Sequence, residues 1–374
     1  MVIPAVMMLS PVYAARTPGF SMSAFNAAVP SSAESAVFSP IAFEFDCAVL
    51  SEAYGPIEKA KFVEALGALV GYEHIFKPIR ERYAAAVSND FSLVSARALL
   101  TPSLKSVTAK YRTYIQNEYS VQACPVRPVT DGAESFLRAA MDGEMEDFRV
   151  PEDAAQPKRF SFYDLESFRC AWRDPFPTAN IRKLAFTAAD GSRRETEMMS
   201  DVRPAELWTT DRFTMLRLAM TDGSWFHAVL PADGAPLDSI RADFAGEKFD
   251  TALVMMRSIT DPGVYKGPAV IVLPRFALDT ASDLAPAFRA FELPLGGFKE
   301  IDLGGAGSLH RTVQRTRFSL DVKGAGGKTV VRKSAAEEVR ADKHTKKFIA
   351  NRPFLFFVFH APTQSVPVAG VYVK

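Results

Sequence analysis

Residues 348–358, FIANRPFLFFV, contain the pattern that decides how this chain folds. From Phe354 the side chains stay apolar through Phe359, immediately before His360. A continuous apolar run of this length suits a central strand that is covered on both faces. The segment VPVAGVYVK, residues 366–374, follows closely. We therefore expect the chain to end in buried β structure.

The rest of the sequence changes character near residue 158, with helix patterns before it and strand patterns after it. A candidate helix begins at Thr101-Pro102, which would serve as its N-cap and first turn. Asp190-Gly191 and Asp222-Gly223 predict hairpin turns, and residues 281–293 predict a helix after a buried strand. Since no repeat and no Gly/Ser linker occurs, we expect one large α+β domain rather than two.

The composition is that of an ordinary globular protein, with 48% hydrophobic residues and a mean hydropathy of 0.00. The 374 residues include 44 Lys+Arg and 43 Asp+Glu, a formal charge of +1. This balance gives no general electrostatic reason to expect nucleic-acid or anionic-membrane binding. No run of eighteen apolar residues occurs, so we expect no membrane span.

Cysteine and histidine spacing gives no sign of a metal centre. The three cysteines are far apart, form no CxxC motif and are interpreted as packing residues where their segments are apolar. The five histidines show no HExxH spacing. We expect no metal and no cofactor. The residues concerned are Cys47, Cys124, Cys170, His74, His227, His310, His344 and His360.

The N-terminus, MVIPAVMMLSPVYA, resembles a short apolar signal segment that ends in small residues. It lacks a positive region, and two prolines interrupt it. We expect residues 1–17 to be an N-terminal extension or a remnant signal segment. The protein would then be secreted or periplasmic, and otherwise cytoplasmic.

Residues 323–329, KGAGGKT, resemble a phosphate-binding loop because they lie between a predicted strand and a possible helix. The spacing fails, since Val322 occupies the position of the first required glycine. Only 45 residues remain for the other parts of a nucleotide site. We therefore interpret the segment as a glycine-rich hinge.

The C-terminal stretch resembles the signature of the serpin family at every restricted position, including Asn351, Arg352, Pro353 and Phe354. Other segments resemble the family in the same order. They are FSPIAFEFDCAVLSEAYG (38–55), IEKAKFVEALG (57–67) and FRCAWRDPF (168–176). The resemblance covers residues 18–374 and implies one domain with three β-sheets, eight or nine helices and an exposed reactive-centre loop. We expect a bacterial-type member with a divergent hinge.

The resemblance also implies a mechanism. A protease that cuts the loop forms an acyl-enzyme, and the freed loop then inserts as a new strand and traps the protease. Aligned on the signature, the loop spans about residues 323–347, with Arg340-Ala341 as the scissile bond. An exposed Arg would fit a trypsin-like serine protease. The loop holds eight Lys/Arg and three acids, a net charge of +5, which supports an acidic partner.

The hinge departs from the inhibitory pattern of the family, which is Glu-Glu-Gly-Thr followed by small residues. We align the family's hinge glycine with Gly326. The residues expected to matter in the hinge are Gly324, Gly326, Gly327, Thr329, Val331 and Lys333. Thr329 and Val331 suit the buried face of an inserted strand together with Gly327, but Lys333 would share that face as a charged residue.

The sheet-opening region also departs from the family. The resemblance places Ser39, Asp164 and Thr316 there, with Asp164 in place of the usual Asn and Thr316 in place of the usual His. Two functions therefore remain open. The first is covalent trapping of a trypsin-like protease by a monomer. The second is a non-inhibitory role as a carrier, chaperone or cleavable substrate.

Overall fold

Strands from both halves of the chain form two hydrogen-bonded sheets, and helices from the first half cover one of them. The computed structural model describes residues 18–66, 73–87, 93–125, 131–151, 154, 159–258, 260–304, 308–326 and 345–374.

The described residues contain nine α-helices. Their bounds are α1 Pro18–Ala28, α2 Pro40–Ser51, α3 Pro56–Ala65, α4 Glu73–Val87, α5 Ala109–Tyr119, α6 Asp131–Ala140, α7 Leu237–Asp243, α8 Gly246–Met255 and α9 Ala285–Ala290. Proline begins α2 and α3, where its missing N–H has no helical partner to lose. None of these helices combines the length and the apolar character that a membrane span requires.

Two expected helices begin later in the chain than the sequence indicates. Thr101 is the last residue of a strand, and α5 begins after Thr108, whose hydroxyl accepts a hydrogen bond from the Tyr111 N–H at 3.3 Å. The helix expected over residues 281–293 is present as α9, which covers only Ala285–Ala290 because β structure continues through Asp283. In both places edge-to-edge strand pairing outweighs a local helix-start signal.

The described residues contain sixteen strands. Their bounds are β1 Ala36–Phe38, β2 Leu93–Thr101, β3 Val121–Pro125, β4 Arg159–Phe168, β5 Cys170–Ala171, β6 Ile181–Thr187, β7 Arg193–Thr209, β8 Phe213–Ala219, β9 Ser224–Pro231, β10 Val264–Pro274, β11 Phe276–Asp283, β12 Ser308–Asp321, β13 Gly324–Ala325, β14 Lys346–Ile349, β15 Phe354–His360 and β16 Ser365–Tyr372. Both expected hairpins, β6–β7 and β8–β9, are confirmed.

The seven-stranded sheet has the order β3-β2-β4-β12-β13-β5, with β11 also paired to β12. The nine-stranded sheet has two parts that share β7. One part has the order β1-β16-β15-β9-β8-β7, and the other has the order β7-β10-β14. Strand β6 is also paired to β7. The expected α+β architecture with three sheets is confirmed, and two of the three are joined along β7.

The seven-stranded sheet is covered on both faces. On its inner face, every residue of α2 is buried. On its outer face, Leu137 and Met141, in and just after α6, pack with Tyr163 and Leu165 of β4.

The expected central strand is confirmed, because all seven residues of β15 are buried between β16 and β9. Cys47 and Cys170 are also buried, as expected.

Candidate functional site

The candidate site lies where β4 and β12 run side by side in the middle of the seven-stranded sheet. The two strands are parallel, and their pairing extends from Arg159 opposite Ser308 to Ser167 opposite Arg317. We call this boundary the seam. Parallel strands that are neighbours in a sheet leave no room for a further strand, so the seam is closed over this length.

At the end of the seam the chain turns back into the sheet. After β12, the two-residue strand β13 pairs antiparallel with Leu320 and Asp321 on one side and with Cys170 and Ala171 on the other. The Gly326 N–H continues this direction by donating to the Ser319 carbonyl at 3.0 Å. The start of the loop therefore already occupies the position of a strand between β12 and β5.

Two glycines make this return possible. Gly324 has φ +145, and a Cβ there would lie 2.1 Å from the Cys170 carbonyl oxygen. Gly326 has φ +76, and a Cβ there would lie 2.6 Å from Arg169 Cγ. Both backbone conformations and both spaces favour glycine. Ala325 between them is fully buried. The return strand thus begins at Gly324, two residues before the glycine that the family alignment assigned to the hinge.

Trp172 holds the turn in place. Its indole Nε1 donates to the Asp321 carbonyl at 2.8 Å, and its backbone N–H donates to the Lys323 carbonyl at 2.9 Å. The Asp321 carboxylate accepts hydrogen bonds from the backbone N–H groups of Lys323 and Gly324. The turn is therefore fixed by the Asp321 side chain at the end of β12 and by Trp172, which follows β5.

The remaining predicted hinge and reactive-site residues lie outside the described residues. They are Gly327, Thr329, Val331, Lys333, Arg340 and Ala341. After the loop, β14 pairs parallel with β10. Phe354 of the signature is fully buried, while Arg352 donates to the Pro231 carbonyl at 2.7 Å and pairs with Asp233. Of the predicted residues, the structure therefore places Gly324 and Gly326 at the seam and the signature on the other sheet.

The three predicted sheet-opening residues lie together, connected by Gln314. The Ser39 N–H donates to Gln314 Oε1 at 2.7 Å, and Gln314 Nε2 donates to the Ser39 carbonyl and to Asp164 Oδ2, each at 3.1 Å. The Thr316 hydroxyl also donates to Gln314 Oε1, at 3.2 Å. Gln314 thus bridges α2, β4 and β12 across the seam. Sequence reasoning missed it, although its position two residues before Thr316 puts it on the same strand face.

Beside Gln314 lies a group of buried charged residues that we call the Arg97 cluster, formed by Asp46, Tyr83, Arg97, Asp164 and Glu166. Arg97 Nε lies 2.7 Å from Asp46 Oδ1, and its Nη2 lies 3.1 Å from Asp164 Oδ1 and 2.6 Å from Glu166 Oε1. The Tyr83 hydroxyl donates to Glu166 Oε1 at 2.7 Å. These contacts join β2, β4, α2 and α4 behind the seam.

Burial decides the electrostatics of this cluster. Desolvation raises the pKa of Asp46 and of Glu166 well above the ordinary value, and the nearby Asp164 carboxylate raises both further. Desolvation also raises the pKa of Tyr83, so this phenol stays protonated. Arg97 is surrounded by acidic groups that raise its pKa despite burial, so it remains a cation.

On the outer face, a second group of charges ties the segment after α6 to the seam. Asp147 accepts hydrogen bonds from Arg315 Nη2 at 2.7 Å and from Arg317 Nη2 at 2.6 Å, and both arginines also bind Asp279. The hydrogen bonds from Arg315 and Arg317 lower the pKa of Asp147 to about 2. Any opening of the seam has to accommodate these contacts. Among the described residues, no group of His, Cys, Asp and Glu side chains is arranged to hold a metal ion.

Comparison with known proteins identifies the family. A family model described as Serpin (serine protease inhibitor) matches residues 16–374. Plasminogen activator inhibitor 1 from Bos taurus is 27% identical over 221 residues, which cover 54% of this chain and 51% of that protein. Glia-derived nexin from Homo sapiens is 26% identical over 218 residues, covering 54% and 52%. The chain spans about half the length of the curated relatives it matches.

Solved structures share the fold over nearly the whole chain. Native protease nexin-1 with heparin has a TM-score of 0.78 at 17% identity and covers 96% of this chain and 98% of its own. The thermophilic serpin Tengpin in its native state has a TM-score of 0.79 at 15% identity, covering 98% and 95%. Because the family model extends over residues 16–374 and the described architecture agrees with it, this chain belongs to the serpin family.

Proposed function

We propose that this protein inhibits a serine protease by covalent trapping, in which the cleaved loop inserts along the seam. The observation that carries this proposal is β13, because it starts an antiparallel strand at the end of the seam where β4 and β12 are still paired. Each further loop residue that inserts would replace one parallel pairing between β4 and β12 by two antiparallel pairings, one with each of these strands. The relatives named above include a protein whose name states inhibition of plasminogen activator.

The side-chain pattern of the loop supports insertion over its first part. Ala325 is buried in β13, so alternation along the strand would bury the odd-numbered residues that follow. These are Gly327, Thr329 and Val331, and then Lys333. Burial of the apolar and β-branched residues favours insertion, whereas an unpaired buried ammonium would cost several kcal/mol. Lys333 is therefore the residue that opposes complete insertion.

Arg340-Ala341 is the scissile bond in this proposal, and the target is a trypsin-like protease. The side chain of Arg340 would enter an acidic specificity pocket, and the net charge of +5 over residues 323–347 would favour the approach of an acidic protease surface. The protein itself would act as a monomer and would hold no cofactor.

A second candidate function is that of a cleavable serpin that does not trap its protease. The observation that favours it is the sequence after the hinge, in which residues 328–333, KTVVRK, replace the small-residue run of inhibitory members and Lys333 would lie on the inward face. Extra glycines make the loop more costly to order, by about 1–2 kcal/mol for each residue fixed. Slow insertion would let the acyl-enzyme hydrolyse first.

The test mixes the purified protein with trypsin near equal molar ratio and separates the products on a denaturing gel. Trapping predicts a covalent band larger than either protein, and mass spectrometry of the released C-terminal fragment should begin at Ala341. Arg340→Gln should abolish the band, while the matched variant Arg332→Gln should retain it. Cleaved protein with fully active trypsin, and no rise in melting temperature after cleavage, would favour the second candidate.

A further inference from the structure

The Arg97 cluster contains more acidic groups than its basic group can balance. Asp46, Asp164 and Glu166 are each 0% exposed, and Arg97 is 3% exposed. If all three carboxyl groups were ionised, the cluster would carry a net charge of −2 away from water. The next buried ion pair, Arg82 with Glu44 at 2.6 Å, is balanced by itself and supplies no spare cation. A buried net charge of this size is strongly unfavourable.

Every packed element contributes groups around these carboxyls. They are Glu44, Asp46 and the Cys47 thiol from α2, Arg82 and Tyr83 from α4, Arg97 and Ser95 from β2, Asp164 and Glu166 from β4, and the neutral Gln314 and Thr316 from β12. Arg82 and Arg97 are the cations in this set. Charge balance therefore has to come from protons.

The positions of the oxygen atoms are consistent with bound protons. Within the described residues, Asp46 Oδ2 and Glu166 Oε2 are buried without a hydrogen-bond partner. An ionised oxygen in such a place would lose its solvation without replacement, whereas a carboxylic acid carries less charge and can donate to a neighbouring carboxylate. Asp164 lies beside both groups and raises the pKa of each. Carboxyl groups held this close share protons because they cannot all ionise.

Asp164 connects this cluster directly to the seam. Its Oδ1 faces Arg97 Nη2, and its Oδ2 accepts the hydrogen bond from Gln314, which lies opposite it on β12. Asp46 on α2 is attached to the same guanidinium at Nε. Repulsion between Asp46 and the acids of β4 would therefore push β4 away from the helix against which the closed sheet packs.

We propose that the Arg97 cluster is a proton-operated latch, in which carboxyl protons held by Asp46 and Glu166 beside Asp164 keep the seam closed and their release to solvent destabilises it. The step breaks an O–H bond, leaves the electron pair on the carboxylate and transfers the proton to water or hydroxide. The closed sheet keeps protons that the unfolded chain loses above a pH of about 4. Stability of the native state therefore falls as pH rises from there toward the raised pKa values of the cluster, by up to about tenfold in the unfolding constant per pH unit for each proton.

The test measures urea unfolding of the full chain at several pH values from 5 to 8. We expect the unfolding constant to rise with pH more steeply in the wild type than in Asp164→Asn. The difference between the two proteins should reach up to about tenfold per pH unit. This variant removes the central charge, keeps an oxygen for Gln314 and carries the residue usual in the family. Histidines titrate equally in both proteins, so the difference in slope isolates the cluster. The matched control Asp147→Asn removes an acid whose pKa of about 2 lies outside this range, and it should keep the wild-type slope.

Equal slopes for the wild type and Asp164→Asn would overturn the proposal. If Asp164→Asn does not fold, infrared spectroscopy of the wild type and of Glu166→Gln at neutral pH provides the test. The wild type should show a protonated-carboxyl band, and this band should be weaker in Glu166→Gln. Absence of the band from the wild type refutes the latch. A faster loop insertion at alkaline pH is a further consequence that rests on the proposed function. The unfolding measurement uses no protease, so the latch and the inhibitory function can fail separately.

Discussion

Replacing Gln314 with alanine should destabilise the closed seam more than any other change of a single neutral side chain there. The side chain is fully buried and accepts from the Ser39 N–H and the Thr316 hydroxyl while donating to Ser39 and Asp164. In Gln314→Ala the Ser39 N–H, the Thr316 hydroxyl and Asp164 Oδ2 lose the partner described for them. The Ser39 carbonyl keeps a second donor, the Phe43 N–H at 3.2 Å.

The magnitude follows from these three groups that are left without their partner. A buried polar group without its partner costs about 1–3 kcal/mol. Three such groups and the small cavity left by the missing side chain give a loss of at least about 3 kcal/mol in the free energy of unfolding.

Urea unfolding followed by tryptophan fluorescence measures this loss as a lower midpoint with an unchanged slope. The matched control is Gln116→Ala on the exposed face of α5, which should change the free energy by less than about 0.5 kcal/mol. A loss below about 1 kcal/mol for Gln314→Ala would show that Gln314 does not hold the seam.

Four further outcomes are expected. Gly324→Ala should lower the free energy of unfolding by more than about 2 kcal/mol in urea titrations, because the φ of Gly324 is +145 and the new Cβ would meet the Cys170 carbonyl. The matched control is Gly132→Ala in α6, where a Cβ would meet no atom within 4 Å. This control should stabilise the protein by about 0.5–1 kcal/mol. Trp172→Phe loses the hydrogen bond to Asp321 and should lower the free energy of unfolding by about 1–3 kcal/mol, and an unchanged urea midpoint would contradict the role given to the indole N–H. The pKa of Asp147 is lowered to about 2, so its contribution to the free energy of unfolding is present above a pH of about 4 and is lost as pH falls toward 2. In acid titrations, the free energies of unfolding of the wild type and of Asp147→Asn should differ by less than about 1 kcal/mol, because the Asp147 side chain is solvent-exposed. Lys333→Ala should increase the fraction of covalent complex with trypsin on a gel, and a decrease would argue that Lys333 is not buried on insertion.

The sequence predicted the strands of the second half better than the helix boundaries of the first. The run from Phe354 to Phe359 is apolar on both faces, and this composition is enough to specify a strand buried between neighbours. Thr101-Pro102 carries a valid helix-start signal, yet pairing of Thr101 with Pro125 of β3 fixes it as the end of β2. A local cap is worth about 1 kcal/mol and cannot compete with a whole strand edge.

The candidate site was only partly predictable for a related reason. Ser39, Asp164 and Thr316 were identified through the family resemblance, but a glutamine two residues away from an expected position gives no local signal. The Arg97 cluster was missed because its members are separated by many residues along the chain and come from four elements. Charged residues in strands and amphipathic helices usually face solvent, and only the topology reveals that these face one another.

The position of β15 and β16 has a consequence for the order of synthesis. These strands lie between β1 and β9, so residues 354–372 separate two strands that are made much earlier. A nascent chain that has reached only the loop therefore exposes two unpaired strand edges and an incomplete core. It cannot close the nine-stranded sheet until residues 354–372 have left the ribosome, and during that interval its open edges are exposed to edge-to-edge association.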